Sequence, residues 1–184
     1  MSEFKTLGEM EARLDDIREA PSEKGSIAMI VIRPETNERA VTVSCELDHE
    51  LGLVGDNWHA RVDKHTVDGS PDPRRQLTIM NVRAVAAITD TEDNWPLAGD
   101  QFYVDFDLSE DNTPPGTQLS LGDAVVEVTE LPHLGCGKFG NRFGKDANMF
   151  VNSELGKSLH LRGVNARVIK PGTVVKGDCI RKIS

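Results

Sequence analysis

The segments PGTQLSLGDAVVEV at 115–128 and PGTVVKGDCIRKI at 171–183 share one pattern: a Pro-Gly-Thr turn, a short apolar run, a Gly-Asp pair and a second short run. Runs punctuated in this way do not continue as helices, because Pro lacks the N–H donor and Gly costs backbone entropy. They suit short strands joined by tight turns, and a chain built from many such strands closes into a barrel or packs as a compact sandwich. Gly-Asp recurs at 55–56 and 99–100, where it also reads as hairpin punctuation.

The remaining periodicities add a few helices. Residues 6–19, TLGEMEARLDDIRE, set Leu7, Met10, Leu14 and Ile17 at helical spacing behind a Thr6/Glu9 capping box, which predicts an amphipathic helix laid on the domain. PSEKG at 21–25 breaks it. SIAMIVIRP at 26–34 reads as a buried strand, RAVTVSCEL at 39–47 as its hairpin partner, and Pro34–Glu38 as the turn. QLTIM at 76–80 is another strand, Asn81 an N-cap for a helix over 82–88, and FYVDFDL at 102–108 alternates as a half-buried strand should. Two helical turns are expected near 146–152 and 154–160. Residues 48–75 hold three of the five histidines in a long polar segment, of the kind that is functional or disordered more often than incidental. The expected architecture is mainly β with a few short helices: residues 1–24 as an N-terminal helix and turn, 25–184 as a single domain.

At 184 residues and 38 % hydrophobic content, the chain can bury a core without covalent staples. Its longest apolar run, IAMIVI at 27–32, is too short to span a bilayer, and the start lacks a charged-then-apolar leader, so a cytoplasmic protein is expected. Three scattered cysteines, Cys45, Cys136 and Cys179, suit free thiols better than a disulfide framework. The net charge of −9 argues against nucleic acid or an anionic membrane as partner. That average hides a split. Residues 131–184 carry ten Lys or Arg against three acids, a surplus of seven positive charges, so the first 130 carry −16. A basic segment on an acidic protein can focus an anionic small molecule, or can be solvated surface charge; both readings stay open.

The basic segment begins at LPHLGCGKFGNRFG, 131–144, read as a loop. Glycines at 135 and 137 strip side-chain cover from Cys136, and Lys138 and Arg142 lie close enough in sequence to favour the thiolate, the form that attacks electrophiles and binds soft metals. The plainer reading is a small packing residue. Cys45 and Cys179 fall in strands and read as buried, inert thiols. His133 with Cys136 is the one close His/Cys pair; His59 and His65 are the histidines available to complete a zinc site, but the spacing is not diagnostic. G-x-S-x-G, Walker-type and G-x-G-x-x-G motifs are absent from the sequence, which speaks against serine hydrolase and nucleotide chemistry.

Three ordered stretches, GLVGDNWHARVDKHTVDGSPDPRRQLTIMN, PLAGDQFYVDFDLSEDNTPPGTQLSLGDAVVEVTELPHLGCGKFGNRFG and LRGVNARVIKPGTVVKGD, together resemble the MOSC family, named after the C-terminal part of molybdenum cofactor sulfurases. The resemblance runs from about residue 25 to the end. It implies a strongly curved β-barrel, on which the N-terminal helix read above would pack, and a functional cysteine after the LGDAVVEVTE strand, here Cys136. In sulfurases that cysteine is thought to carry sulfur as a persulfide toward a molybdenum-pterin cofactor; in relatives that reduce N-hydroxylated compounds it ligates the molybdenum. The implied activity is therefore sulfur transfer or molybdenum-dependent oxidoreduction, with a non-catalytic small-anion or protein-binding barrel as the alternative. Sulfurases carry a pyridoxal-phosphate desulfurase domain for which this chain has no room, so pyridoxal phosphate is not expected here, and a separate cysteine desulfurase or electron-donor protein is the implied partner. Besides Cys136, Lys138 and Arg142, the cofactor-binding candidates on matching motifs are Gly55 and Asp56 in GLVGD, Arg74, Arg75 and Gln76 in RRQ, and Arg162 in LRG.

Overall fold

The structure is a computed structural model and describes residues 4–184; Met1 to Glu3, the start of the segment read as an N-terminal helix and turn, lie outside the described residues. The strands are β1 (Lys24–Ile32), β2 (Ala40–Thr42), β3 (Ser44–Asp48), β4 (Gly52–Leu53), β5 (Leu77–Asn81), β6 (Phe102–Asp105), β7 (Gln118–Leu121), β8 (Ala124–Val128), β9 (Val164–Lys170), β10 (Gly172–Val175) and β11 (Cys179–Lys182). The helices are α1 (Leu7–Glu11), α2 (Leu14–Arg18), α3 (Val82–Ile88), α4 (Gly137–Phe143), α5 (Lys145–Asn152) and α6 (Glu154–Ser158).

Seven strands close into a barrel in the order β11-β7-β8-β9-β5-β6-β1 and back to β11, and β2 adds to the far end of β1. Closure rests on the length of β1. Its first residues pair with β11 (Lys24 with Arg181, Ser26 with Cys179) and its later ones with β2 (Ile30 with Thr42), while β6 runs along the other edge. Where β1 enters this crossing it carries Gly25, and a Cβ there would collide with the Asp105 carbonyl of β6. A bulge against β6 between Ile27 and Met29 re-aims the strand, so that Ile27 and Ile30 both point into the barrel while Met29 and Val31 face the helices.

The core has two compartments. The barrel interior is filled by residues such as Ile27, Ile30, Leu77, Ile79, Phe102, Val104, Leu119 and Val126. Outside β1, β5 and β6, the helices bury Met10, Ile17, Val85, Phe139, Phe150 and Leu161 against Met29, Met80 and Tyr103. With both faces covered, β6 is buried through Val104 and does not alternate as the sequence suggests: Tyr103 faces the helical layer and donates its hydroxyl to Trp95 O at 2.6 Å.

Other local expectations are met or revised for identifiable reasons. The Thr6/Glu9 capping box forms, but the N-terminal helix breaks at Ala12–Arg13 into two short ones, α1 packed on α5 and α3 and α2 packed on α3. Asn81 caps α3 through its side chain. The 39–47 strand splits at Val43: β2 stays on the barrel, and β3 leaves for a small sheet ordered β10-β3-β4. The two echoed segments therefore differ. Strands β7 and β8 form a hairpin around Gly122, while β10 and β11 do not pair, because the chain crosses there from the small sheet back to the barrel. No helix among the described residues is long and apolar enough to cross a membrane.

Candidate functional site

Two cavities meet at the segment that precedes α4. One, of about 410 Å³, is lined by Arg33, Trp58, Arg61, Lys64 and Arg75, with Asp63 as its acid. The other, of about 430 Å³, has mostly apolar walls that include Val128, Leu131, Val151 and Val164. His133 belongs to both walls.

The segment from Thr129 to Cys136 is pinned at several points. Asn165 of β9 donates its side-chain amide to Leu131 O at 3.0 Å, and Asn152 of α5 bonds both Gly135 N and Gly135 O at 2.9 Å. His133 Nε2 lies 2.9 Å from Asp100 Oδ1. Residues 137–143, read as part of a loop, form α4, and Cys136 is its extended N-cap residue, with a side chain that makes no capping bond. The thiol is exposed. The flanking glycines have different causes: a Cβ at Gly135 would sit 2.8 Å from Val151 and collide with Asn148, whereas one at Gly137 would meet nothing. Gly135 lets the loop dock on α5; Gly137 leaves the sulfur's other side open. Cys45 is buried as expected, and burial pushes its thiol up to about 12. Cys179 is exposed, contrary to expectation, because its side chain falls on the outer face of β11 while Ile180 fills the barrel.

A collar of arginines surrounds the turn that ends the 3-10 helix Glu92–Ala98. Arg39 Nε donates to Pro96 O at 3.2 Å, Arg142 Nη1 to Leu97 O at 2.8 Å, Arg162 Nη2 to Ala98 O at 2.8 Å and Arg33 Nη1 to Gly99 O at 3.0 Å. Four successive carbonyls thus each accept a guanidinium from a different part of the chain. The cause is a helix end: Pro96 O takes the Gly99 N–H at 3.1 Å, the carbonyls after it are left for the guanidinium groups, Gly99 at φ 96° turns the chain away, and the negative end of the helix attracts cations. Two carboxylates meet this charge. Asp56 is locked to Arg33, and Asp100 takes Arg162 Nη1 at 2.6 Å on the oxygen that His133 leaves free. Burial alone would push the Asp100 carboxyl up, but the Arg162 charge and the His133 bond outweigh it and hold the group at about 2. Arg39 and Arg142 have no carboxylate partner among the described residues, and partial burial, then Arg142 and Arg33, push the Arg39 guanidinium down. Positive charge is in surplus here.

The residues singled out in the sequence therefore divide. Arg75 lines the cationic cavity, 3.9 Å from Asp63. Arg74 instead grips Asp72 and Glu130, which raise its pKa, and Gln76 is buried as a bridge from His49 O to Val168 N. Gly55, at φ 90°, turns the chain so that Asp56 reaches Arg33. Arg162 is buried with its guanidinium 5.0 Å from the centre of the Phe139 ring, and its Nε has no acceptor among the described residues. Arg142 is tied to Leu97 O and to Asn37 Oδ1, and Lys138 is exposed. Among the described residues no three His, Cys, Asp or Glu side chains gather as metal ligands. Sequence reasoning missed Arg33, Arg39, Arg61 and Asp100, and weighed His133 only as half of a zinc pair. The one signal on offer was the recurring Gly-Asp: at 55–56 and 99–100 the pair joins no hairpin, contrary to expectation, because a 3-10 turn at Trp58–Ala60 follows the first and the 3-10 helix Glu92–Ala98 precedes the second, and each Asp is instead a buried partner of an arginine.

Neither a protein-family model nor a curated protein matches the chain. Among solved structures it is similar to the YUAD protein from Bacillus subtilis, with a TM-score of 0.59 and 18 % identity over 85 % of this chain and 94 % of that one. It is also similar to YiiM from Escherichia coli, with a TM-score of 0.56 and 21 % identity over 86 % and 70 % of the two chains. For YiiM from Geobacillus stearothermophilus the values are 0.56 and 15 %, over 87 % and 75 %. At these identities the likeness shows the fold, and the chemistry has to be argued from the residues of this chain.

Proposed function

We propose that this is a MOSC-type protein that offers Cys136 to an anionic molybdenum-pterin cofactor, as metal ligand in the reduction of N-hydroxylated compounds or as the carrier of a sulfur atom. The observation that carries the proposal is the cationic cavity, where Arg33, Arg61, Lys64 and Arg75 face a single acid, Asp63, and whose wall includes His133, three residues before an exposed thiol. The residues fit the group: guanidinium clusters suit a phosphate, and a thiolate suits a thiophilic metal. When bound, the cofactor supplies the redox centre. This chain binds the phosphate, orients the ligand against the pinned segment 129–136 and presents the sulfur. In the carrier form, the Cys136 thiolate attacks the outer sulfur of a persulfide on a cysteine desulfurase; a new S–S bond forms, the donor's S–S bond breaks, and the donor departs as a thiolate. In the reductase form, an electron-donor protein takes the desulfurase's place as partner. The alternative of a binding barrel in which Cys136 only packs does not suit an exposed thiol.

The test is molybdenum content per chain after expression in a host that makes the cofactor, together with cyanide-releasable sulfur after incubation with a cysteine desulfurase and cysteine. Metal bound to the wild type and lost in Cys136→Ser supports the ligand form; labile sulfur lost in that variant supports the carrier form. Neither metal nor sulfur in the wild type overturns the proposal.

A further inference from the structure

Resting on the ligand-binding function proposed above, we infer that His133 is the general base of this site, fixed by Asp100 as the Nε2–H tautomer so that its Nδ1 lone pair serves a substrate held between the two cavities.

The tautomer follows from the neighbours. Asp100 is wholly enclosed, and its two oxygens are divided between Arg162 Nη1 at 2.6 Å and His133 Nε2 at 2.9 Å. The Arg162 charge keeps the carboxylate ionised, and an ionised carboxylate only accepts, so the hydrogen between it and the imidazole belongs to Nε2. In a neutral ring the lone pair is then on Nδ1. Among the described residues no group bonds Nδ1, and it is not among the enclosed unpaired atoms, so solvent reaches it on a side chain that lines both cavities and is 18 % exposed as a whole. Neutrality has its own causes: burial pushes the His133 pKa down first, the Arg162 and Arg33 charges push the same way, and Asp100 opposes them. A base needs to be unprotonated at working pH and within reach of its proton.

The support behind the ring extends to the helix that begins at Cys136. Arg162, which fixes Asp100, is itself fixed by Ala98 O and by the Phe139 ring, and Phe139 belongs to the first turn of the helix that Cys136 caps. Asp100 and Arg162 are thus positioning residues, and His133 is the group that touches substrate. A purely structural ion pair would need Asp100 and Arg162 alone; here the carboxylate's second oxygen is spent on an imidazole whose far side is open. The cavities on either side of it name the substrate class: the cationic one takes the phosphate-bearing ligand, and the apolar one takes the organic part of an N-hydroxylated compound. The step moves one proton and no electrons. The substrate O–H bond breaks, an Nδ1–H bond forms, the oxygen keeps the bonding pair, and the imidazolium charge lies against Asp100.

The test begins with histidine-selective ¹⁵N NMR without cofactor, the His133 signals being assigned by their loss in His133→Gln. The expected result is a neutral Nε2–H ring in the wild type at neutral pH and a shift toward the Nδ1–H tautomer in Asp100→Asn, whose amide can donate to Nε2. A wild-type ring in the Nδ1–H form, or protonated at neutral pH, overturns the inference. In molybdenum-loaded protein reducing an N-hydroxylated base, His133→Gln should lower kcat by about 100-fold or more while leaving KM and metal content unchanged; a kcat within about threefold of wild type would equally overturn it. A wild type that binds neither metal nor sulfur defeats both the proposed function and this inference, whereas a metal-loaded wild type with the wrong tautomer defeats this inference only.

Discussion

Arg33 and Asp56 meet through two parallel bonds, Nε to Oδ2 at 2.7 Å and Nη2 to Oδ1 at 2.9 Å, with side chains 8 % and 0 % exposed. Asp56 also accepts the backbone N–H groups of Arg33 and Trp58, each at 3.0 Å. One carboxylate therefore ties the turn after β4 to the segment that leaves β1, and it sets the floor of the cationic cavity, to which Arg33 and Trp58 both belong.

Removing this carboxylate alone should be costly. In Asp56→Ala the Arg33 guanidinium is left buried beside other cations, and breaking one partner of such a pair costs about 3–5 kcal/mol. Urea unfolding is expected to show a loss in that range. A double replacement, Arg33→Met with Asp56→Leu, should lose less than the single one, since the orphaned charge is gone. A single-variant loss under about 1 kcal/mol would mean that the pair is solvated in solution.

Asp100 predicts a specific acid sensitivity. Its folded pKa of about 2 lies below the ordinary aspartate value of 3.8, so its contribution to stability is complete above the unfolded pKa and disappears as pH falls through the folded one. The depression corresponds to roughly 2 kcal/mol. Stability measured from pH 5 down to pH 2 should fall less steeply in Asp100→Asn than in the wild type. Parallel slopes would show that Asp100 titrates normally in the folded protein.

Much of the barrel was readable because its determinants are local. Gly-Asp and Pro-Gly turns, the capping box at Thr6 and the N-cap at Asn81 leave their mark within a few residues. The split of 39–47 into β2 and β3 was not readable, since it depends on β10, some 130 residues further on. The site shows the same division. Cys136 stood out through its glycine neighbours, yet the partners that give the region its chemistry come from four separate stretches: Arg33 from the end of β1, Arg61 from the long polar segment, Asp100 from a turn, and Arg162 from the approach to β9. Arg142 stood out by its place six residues after Cys136, and its hydrogen bonds, which no local pattern announces, go to Leu97 and Asn37.

The three thiols should separate by burial. Cys136 and Cys179 are exposed, while Cys45 is buried and its thiol is raised to about 12. Titration of the native protein with an aromatic disulfide near pH 8 is expected to consume the two exposed thiols and to reach the third only after denaturant is added. Cys136→Ser should remove one reactive thiol from the native count. Three thiols reacting together would mean that the small sheet carrying Cys45 opens readily.

The surplus charge of the cationic cavity sets two properties against each other. Arg61 has no carboxylate partner among the described residues; solvent reaches the side chain, yet its partial enclosure, then the Arg33 charge, push the guanidinium down, with Asp56 opposing. A bound anion relieves this repulsion, so the free protein gives up some stability to keep an anion site ready. Arg61→Gln should therefore leave the free protein as stable as the wild type or slightly more so, while weakening pyrophosphate, used as probe, by about tenfold, the equivalent of 1.4 kcal/mol. Because Arg61 is exposed, the loss should shrink as salt is raised from about 0.05 to 0.5 M. Calorimetric titration at both salt concentrations decides the matter: an unchanged affinity at low salt would remove Arg61 from the anion site, and a loss indifferent to salt would show that it acts through the shape of the cavity instead of its charge.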